Sequence, residues 1–584
     1  MAKKTSKKKT PKKTAKKTVK KTAKPAGNGL RTFSMHSRDE ASYRNMTALA
    51  AAESAHPSFA AAASETPVDP ETAARRYLDL ALRSPAVSSF TAPVADEVPS
   101  EFKSLDTETV PLTGTTMVKF RQYFSKIPVY GSLVTVELDD ANKLLGINSA
   151  LGSPESVSPV AKISPADAVK AVKAFPGHTK DLDKIVPRLN YYYDRVASKW
   201  RLVFILEDVP VVGKTKRRAG DVNDTDRAEM HSPVLMDYIV DANTGKVVTE
   251  IPRTPTVAAQ KTGTDGLGTN RTFQVDKTGG TETLNDATLN IQTFDFKFKD
   301  PAQQSQSLPG TAIKNPPTFS PAAVSAHANA AAVSTFLRTV LKRNNIDNQG
   351  GVMRSSINCV VVGDSPGGNV WINAFWNGRQ MVYGQRRNGA GFLSMAVALD
   401  VVGHEMFHGV TDMTSRLEYA FQSGALNESY SDIFGVIIAN QPNPDPRNWN
   451  WKLGAGLLAN GQPFRDMSAP KLHGQPDHMS KFRVLPNTRE GDYGGVHINS
   501  GIHNKAAFNI FTAVKGGALV FTPGEVAAFF YIALTQRLSR TSQFTDSRTA
   551  VLDSARTLFR NLPPAGLNDR ISAIQTGFSA VGIN

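Results

Sequence analysis

The stretch His404-Glu405-Met406-Phe407-His408 decides how this 584-residue chain is read. A helix turns by ~100° per residue, so positions four apart stand one turn apart on one face. His404 and His408 can therefore present two imidazole nitrogens to a single metal ion. Glu405 sits beside them and offers a carboxylate that can take a proton from a water at the metal. Two histidines and a glutamate in this spacing point to a helix-borne zinc centre for hydrolysis. The plain alternative is a pair of solvated helical histidines.

A catalytic zinc takes three protein ligands and keeps a fourth position for water, so a His, Glu or Asp must complete the set. A third histidine six residues on is absent, because Thr411 and Thr414 stand where the extended motif has Gly and His. Twenty residues downstream, Gly424-Ala-Leu-Asn-Glu-Ser-Tyr-Ser-Asp432 opens a second apolar periodic run through Ile433, Phe434, Val436 and Ile437. Glu428 and Asp432 are four apart on that helix. One of them can ligate the metal while the other accepts the spare N–H of a ligating histidine. An acidic residue that complements the helix dipole is the alternative reading.

These segments, with Gly494-Gly-Val-His497-Ile-Asn-Ser-Gly501, resemble the signatures of the thermolysin family of zinc endopeptidases. Asn373-Ala-Phe-Trp376 and the stretch to Gly384 match a fourth motif, and the similarity spans about 260–584. The resemblance implies an α+β fold: a two-lobed zincin with a strand-rich N-terminal lobe and a helical C-terminal lobe. It implies that His404, His408 and Glu428 bind zinc, that Glu405 polarises water and shuttles the proton, and that Asp432 holds His404. By the same resemblance His497 stabilises the tetrahedral oxyanion or donates a proton, Asp492 orients His497, and Tyr419 adds a second oxyanion donor. Asn373, Ala374 and Arg465 match positions that bind the substrate backbone or carbonyl. Phe392, Met395, Val401, Leu453 and Phe464 match the pocket for the residue after the scissile bond, which favours a large hydrophobic side chain. Polypeptides are the implied substrates. The roles also make chemical sense, since amide hydrolysis needs a nucleophile at neutral pH and donors where the carbonyl oxygen becomes negative.

Many relatives hold paired calcium ions beside the zinc helix. Here Asp400 keeps one matching carboxylate, while the other positions read Ala439, Asn450, Lys452 and Ala455, with Gln462 at a further one. Calcium takes about 6–8 oxygen ligands. The double-calcium site is therefore expected to be absent, with the Lys452 ammonium paired to Asp400 in its place.

Composition bounds the rest. With 40% hydrophobic residues the chain can build real cores, and no 18-residue apolar run suggests a membrane span. Cys359, the single cysteine, reads as a small buried hydrophobe. The net charge of +16 is concentrated at one end. Residues 1–24 carry 12 lysines and no acid; without them 56 of the 68 basic residues face 52 acidic ones, a balance of +4. Such an arm can touch nucleic acid or an anionic surface, or be only a solvated tail. It lacks the apolar core of a secretory signal, so secretion by a route not visible in the sequence stands against a cytoplasmic location.

The expected organisation is a Lys-rich tail at 1–27, a linker at 28–68, two propeptide modules at 69–160 and 161–253, the second PepSY-like, and the catalytic lobes at 257–411 and 412–584. Asp69-Pro70-Glu71 and Ser164-Pro165-Ala-Asp167 read as helix starts, and Ser320-Pro321 as another. Alternating apolar residues predict strands within 117–147, at 200–206 and 234–240, and at 360–362, 370–375 and 381–383; helices are expected at 394–411, 500–517, 523–538, 545–559 and 568–580. The polar, Pro-bearing segment 252–260, with Val257 as the residue after a cut, is the expected site of self-processing. The reading is a monomeric zinc endopeptidase made as a proenzyme. Its rivals are a catalytically silent protein of the same fold and a nucleic-acid-associated protein acting through its Lys-rich arm.

Overall fold

A computed structural model describes residues 29–584, apart from most of 40–68, 85–97 and 175–184, all of 211–234, 254–262 and 302–307, and a few single positions. The Lys-rich tail and the expected processing segment around Val257 lie outside the described residues.

The N-terminal region forms two α+β modules. The first sheet contains β1 (Leu30–His36), β2 (Glu101–Val110), β3 (Thr115–Phe124), β4 (Leu133–Leu138) and β5 (Leu144–Gly152) in the antiparallel order β1-β5-β4-β3-β2. Helix α1 (Pro70–Arg83) packs on it, with Asp69 accepting the Thr72 N–H as its cap. Part of the segment 28–68 expected as a linker is thus sheet: β1 pairs with β5 from Leu30↔Gly152 to His36↔Gly146. An open β5 edge would leave unpaired backbone groups, and β1 supplies their partners while burying Met35 and His36. In the second module α2 (Pro165–Lys173), closed by a Ser164/Asp167 capping box, covers the sheet of β6 (Arg188–Asp194), β7 (Lys199–Pro210), β8 (Leu235–Asp241) and β9 (Val247–Arg253).

The remainder has two lobes. A seven-stranded mixed sheet includes β10 (Ile291–Lys299), β11 (Met353–Cys359), β12 (Trp371–Trp376), β13 (Met381–Asn388) and β14 (Gly391–Ser394). The expected strand at 360–362 ends early. Asn358 turns to φ 56° opposite a register shift on β10, so Val360 and Val361 are buried outside the ladder. Helix α3 (Pro321–Thr339), capped by Ser320, backs this sheet. Then follow α4 (Leu399–Asp412), α5 (Phe421–Asn440), α6 (Asp492–Phe511), α7 (Pro523–Ile532), α8 (Phe544–Leu558) and α9 (Pro564–Ser579). The expected 500–517 helix ends at Phe511, and a small Val514–Leu519 hairpin follows. The 523–538 helix changes to π-helix over Ala533–Arg537.

Helices α4 and α5 are buried on nearly every side, which is how a helix at the centre of a large core reads. Their stacked Phe407 and Phe434 rings, 4.0 Å apart, sit in one core continuous across both lobes. Among the described residues no helix is long and apolar enough to cross a membrane.

The N-terminal modules dock on the catalytic lobes through a small apolar contact of Val110, Leu112 and Met117 and through a larger set of polar groups. Arg537 reaches into the first sheet and meets Glu137 at 2.5 Å, both side chains at most 1% exposed. Thr115 and Thr557 also donate to Glu137. Asp553 accepts from Asn148, Arg556 pairs with Asp39, and Arg540 pairs with Glu207 of the second module. Removing one partner of a buried ion pair strands the other, at a cost of about 3–5 kcal/mol, whereas two apolar replacements of similar volume are often neutral. In the full-length chain Arg537→Leu is therefore expected to lower the denaturant midpoint strongly, and adding Glu137→Leu to restore most of it.

Candidate active site

The site begins with the close approach of α4 and α5. Gly403 and Gly435 face one another at the crossing: a Cβ on Gly435 would fall 2.4 Å from the Asp400 carbonyl oxygen and 3.0 Å from the His404 nitrogen. With both positions bare, the two backbones come near enough for side chains of α5 to meet both histidines of α4. His404 Nε2 and His408 Nε2 are 3.1 Å apart. Glu428 places Oε2 3.5 Å from the first and Oε1 3.4 Å from the second. Zinc bonds of about 2.0–2.1 Å in a tetrahedral set separate neighbouring ligand atoms by roughly 3.3–3.4 Å, so these three side chains fit a zinc ion. His404, Glu405 and His408 also offer ligand atoms within 4.8 Å of one another.

Each imidazole is tied at its other nitrogen. His404 Nδ1 faces Asp432 Oδ1 at 2.7 Å, and His408 Nδ1 meets Asn427 Oδ1 at 2.8 Å. The Asn427 amide is itself oriented, since its Nδ2 donates to the Leu417 carbonyl. Both rings thus carry the Nδ1 proton and turn an Nε2 lone pair toward Glu428. Burial pushes the His408 pKa down to about 4, which keeps the ring neutral. Burial opposes the charge on His404 too, but the Asp432 carboxylate outweighs it and raises that pKa. Burial also works against the Glu428 carboxylate, yet His497, His408, His404 and Arg465 around it hold its pKa well below the usual range.

Glu405 lies next to this group, and its Oε2 accepts the Trp376 backbone N–H at 3.2 Å. Tyr419 donates to Glu428 Oε1 and lies 3.0 Å from His497 Nε2. Burial and the adjacent Glu428 raise the Tyr419 pKa well above its ordinary value, so the phenol keeps its proton. His497 enters the cleft because four successive residues, Asp492 to Gly495, take left-handed backbone angles. That turn folds Asp492 back, so that it accepts both the His497 N–H at 2.9 Å and its Nδ1 at 2.6 Å. At Gly494 (φ 88°) a Cβ would strike the Phe421 ring at 2.4 Å.

The cleft above these groups is lined by Asn373, Ala374, Met395, Val401, Leu453, Phe464 and Arg465. The structure so gathers the expected residues except Phe392. On β14 alternate side chains face opposite ways: Leu393 turns into the core, and Phe392 turns out against Phe298 and beneath the Arg387 guanidinium. Arg465 lines the cleft, but its Nε and Nη2 bind Asp432 at 2.9 and 2.8 Å. The Lys452 to Asp400 ion pair is not formed. On the short strand Lys452–Leu453, Leu453 turns inward and Lys452 outward, so Asp400 instead accepts the Gly454 N–H at 2.8 Å. Asn427 and the Trp376 N–H were not found from sequence; a buried amide on a buried helix is the only local hint of the first.

Comparison with known proteins agrees with this geometry. The model described as thermolysin metallopeptidase, catalytic domain, matches residues 260–412, and the thermolysin metallopeptidase alpha-helical domain matches 415–583. The Fungalysin/Thermolysin Propeptide Motif matches 100–151. Bacillolysin of Bacillus subtilis (strain 168) is 31% identical over 490 residues, covering 83% of this chain and 86% of that protein. Neutral protease NprE of Bacillus pumilus is 36% identical over 331 residues, 56% of this chain and 100% of that protein. A solved structure, the precursor of Protealysin, a metalloproteinase from Serratia proteamaculans, shares 30% identity and covers 50% of this chain and 87% of its own, with a TM-score of 0.41.

The bare crossing of α4 and α5 makes a direct prediction. Gly435→Ala forces the helices apart, and overpacking of this kind costs about 1–3 kcal/mol. Purified Gly435→Ala protein is expected to retain less zinc by metal analysis than the parent, with lower activity.

Proposed function

Because the chain belongs to the thermolysin family of metallopeptidases and carries that family's propeptide motif, we propose a division of labour among the residues of its cleft. The protein is a zinc-dependent neutral endopeptidase made as a proenzyme, acting on polypeptides. His404, His408 and Glu428 hold the zinc. The observation that carries this assignment is the 3.1–3.5 Å spacing of their facing atoms. When bound, zinc supplies Lewis-acid polarisation of a carbonyl and a nucleophile at neutral pH.

Glu405 takes the proton from the attacking water and delivers it to the amine nitrogen as the C–N bond breaks. Its link to the Trp376 N–H holds the carboxylate in place beside the histidines. Tyr419 offers its O–H where the carbonyl oxygen gains charge, and a protonated His497 donates there through Nε2 while Asp492 holds Nδ1. Asn373 and Ala374, at the cleft edge of β12, align the substrate backbone. Arg465 acts on the substrate side through the carboxylates it braces, chiefly Asp432.

Self-processing within Thr254–Thr262 releases the N-terminal modules. Secretion by a route not visible in the sequence is the proposed fate, in keeping with the propeptide motif that the chain carries. We further propose that the paired calcium site is absent. The one matching carboxylate, Asp400, is buried against backbone N–H groups, and burial raises its pKa, so no anionic cluster faces an ion there.

Three outcomes test this assignment. Glu405→Gln keeps the ligands but loses the base, so peptide hydrolysis falls by ~100-fold or more while zinc content stays at the wild-type level. Wild-type turnover in that variant would refute the mechanism. In a peptide library, Leu or Phe after the scissile bond is preferred over polar residues by roughly 10–150-fold, because Met395, Val401, Leu453 and Phe464 bury ~1.5–3 kcal/mol of side chain. Thermal inactivation of the zinc-loaded enzyme proceeds at the same rate with and without millimolar calcium; strong protection by two ions per chain would overturn the calcium assignment.

A further inference from the structure

A run of buried polar side chains leaves the metal centre on the side away from the cleft. Asp432 Oδ2 accepts from Asn504 Nδ2 at 2.7 Å. Asn504 Oδ1 meets Ser429 Oγ at 2.6 Å, and Ser429 Oγ meets His503 Nδ1 at 2.8 Å. On the far side of that ring, His503 Nε2 meets Ser547 Oγ at 2.8 Å, and Ser547 Oγ meets the Tyr430 hydroxyl at 2.8 Å. Asp432, Asn504, Ser429, His503, Ser547 and Tyr430 are all fully buried. Apart from Asp432, which the Arg465 fork also braces, none of these groups takes part in the hydrolytic steps above.

The direction of every proton in the run follows from its charged end. An amide beside a carboxylate must present its N–H, so Asn504 turns its carbonyl toward Ser429. Ser429 has one proton and gives it to that carbonyl, so it accepts from His503, whose Nδ1 carries the hydrogen. The neutral ring then offers a lone pair at Nε2. Ser547 donates to it and accepts in turn from Tyr430. Burial among Phe530, Phe544, Phe578 and Tyr430 lowers the His503 pKa to about 3, in keeping with the neutral ring this order requires. The opposite order would set the Asn504 carbonyl 2.7 Å from the Asp432 anion.

We propose that Asn504, oriented by Ser429 and His503, is a positioning residue that fixes the Asp432 carboxylate against His404 and so sets which nitrogen of that ligand faces the zinc. Asp432 Oδ1, at 2.7 Å from His404 Nδ1, keeps the proton there and leaves Nε2 free for the metal. Arg465 holds the same carboxylate from the cleft side, and Asn504 holds it from the core. The inference rests on the zinc-peptidase reading.

The test uses the full-length chain carrying Glu405→Gln, which stays unprocessed, with zinc affinity read by chelator competition. The parent binds one zinc per chain. Asn504→Leu removes the donor to Asp432 and weakens zinc binding by about 10–100-fold, the usual effect of losing an outer partner of a ligand. Ser429→Ala keeps that donor but leaves the amide free to turn, and weakens binding by a smaller factor. Ser334→Ala deletes a buried hydroxyl bonded to Asn345 in the other lobe and leaves zinc affinity unchanged. In the active enzyme Ser429→Ala lowers kcat with KM unchanged. If Asn504→Leu folds and binds zinc as tightly as the parent, the proposal is overturned; if it does not fold, unchanged affinity in Ser429→Ala overturns it. A parent that binds no zinc sinks the zinc reading itself, an outcome separate from these.

Discussion

One buried carboxylate organises the catalytic half of this molecule. Asp432 is wholly enclosed, and an unpaired carboxylate there would cost several kcal/mol. It is met by His404 from α4, by Asn504 from α6 and by the Arg465 fork from the short strand Arg465–Asp466. Burial by itself would raise its pKa, and Arg465 with His404 more than reverses that. The consequence is geometric. An anion satisfied by three separate elements pins those elements to one another, and Glu428, one turn earlier on α5, is carried into place opposite both imidazoles.

That dependence explains what could be read from the chain beforehand. A helix repeats its face every three to four residues, so His404 with His408 and Glu428 with Asp432 were legible as pairs from spacing alone. Which of the two carboxylates meets the metal side was not, because both stand on one face. It is decided by the crossing at Gly403 and Gly435, where α5 offers Glu428 to the Nε2 atoms and Asp432 to Nδ1. The capped helix starts at Asp69, Ser164 and Ser320 were equally legible, since each rests on residues within one turn.

The failures have a common cause. Phe392 and Lys452 both lie on short strands, where a side chain's direction depends on the parity of its register and not on its chemistry. Strand β1 was hidden in an apparent linker because its partner β5 is more than a hundred residues away. Asn427, Asn504 and His503 carry no local signature, because the groups they meet are supplied by other elements of the fold.

The two sides of the site are held differently. His404, His408 and Glu428 stand on central helices whose side chains are locked by core packing and buried hydrogen bonds. The opposite side stands on irregular backbone: Tyr419 lies just before α5, and His497 follows the left-handed turn at Asp492–Gly495. It is this second side that the N-terminal region touches. Arg195 of the second module pairs with Glu418 at 2.8 Å, bonds Ser423 at 3.1 Å and lies over the Phe421 ring. Glu418 neighbours Tyr419, and Phe421 is the ring that abuts Gly494. Thr249 of the same module bonds Asn487, close before the turn. These contacts are mainly charged and polar, of the kind that water can replace, whereas an apolar seam would favour association if exposed. The docked N-terminal region thus braces the half of the site that is built on irregular backbone, mainly through charged and polar contacts.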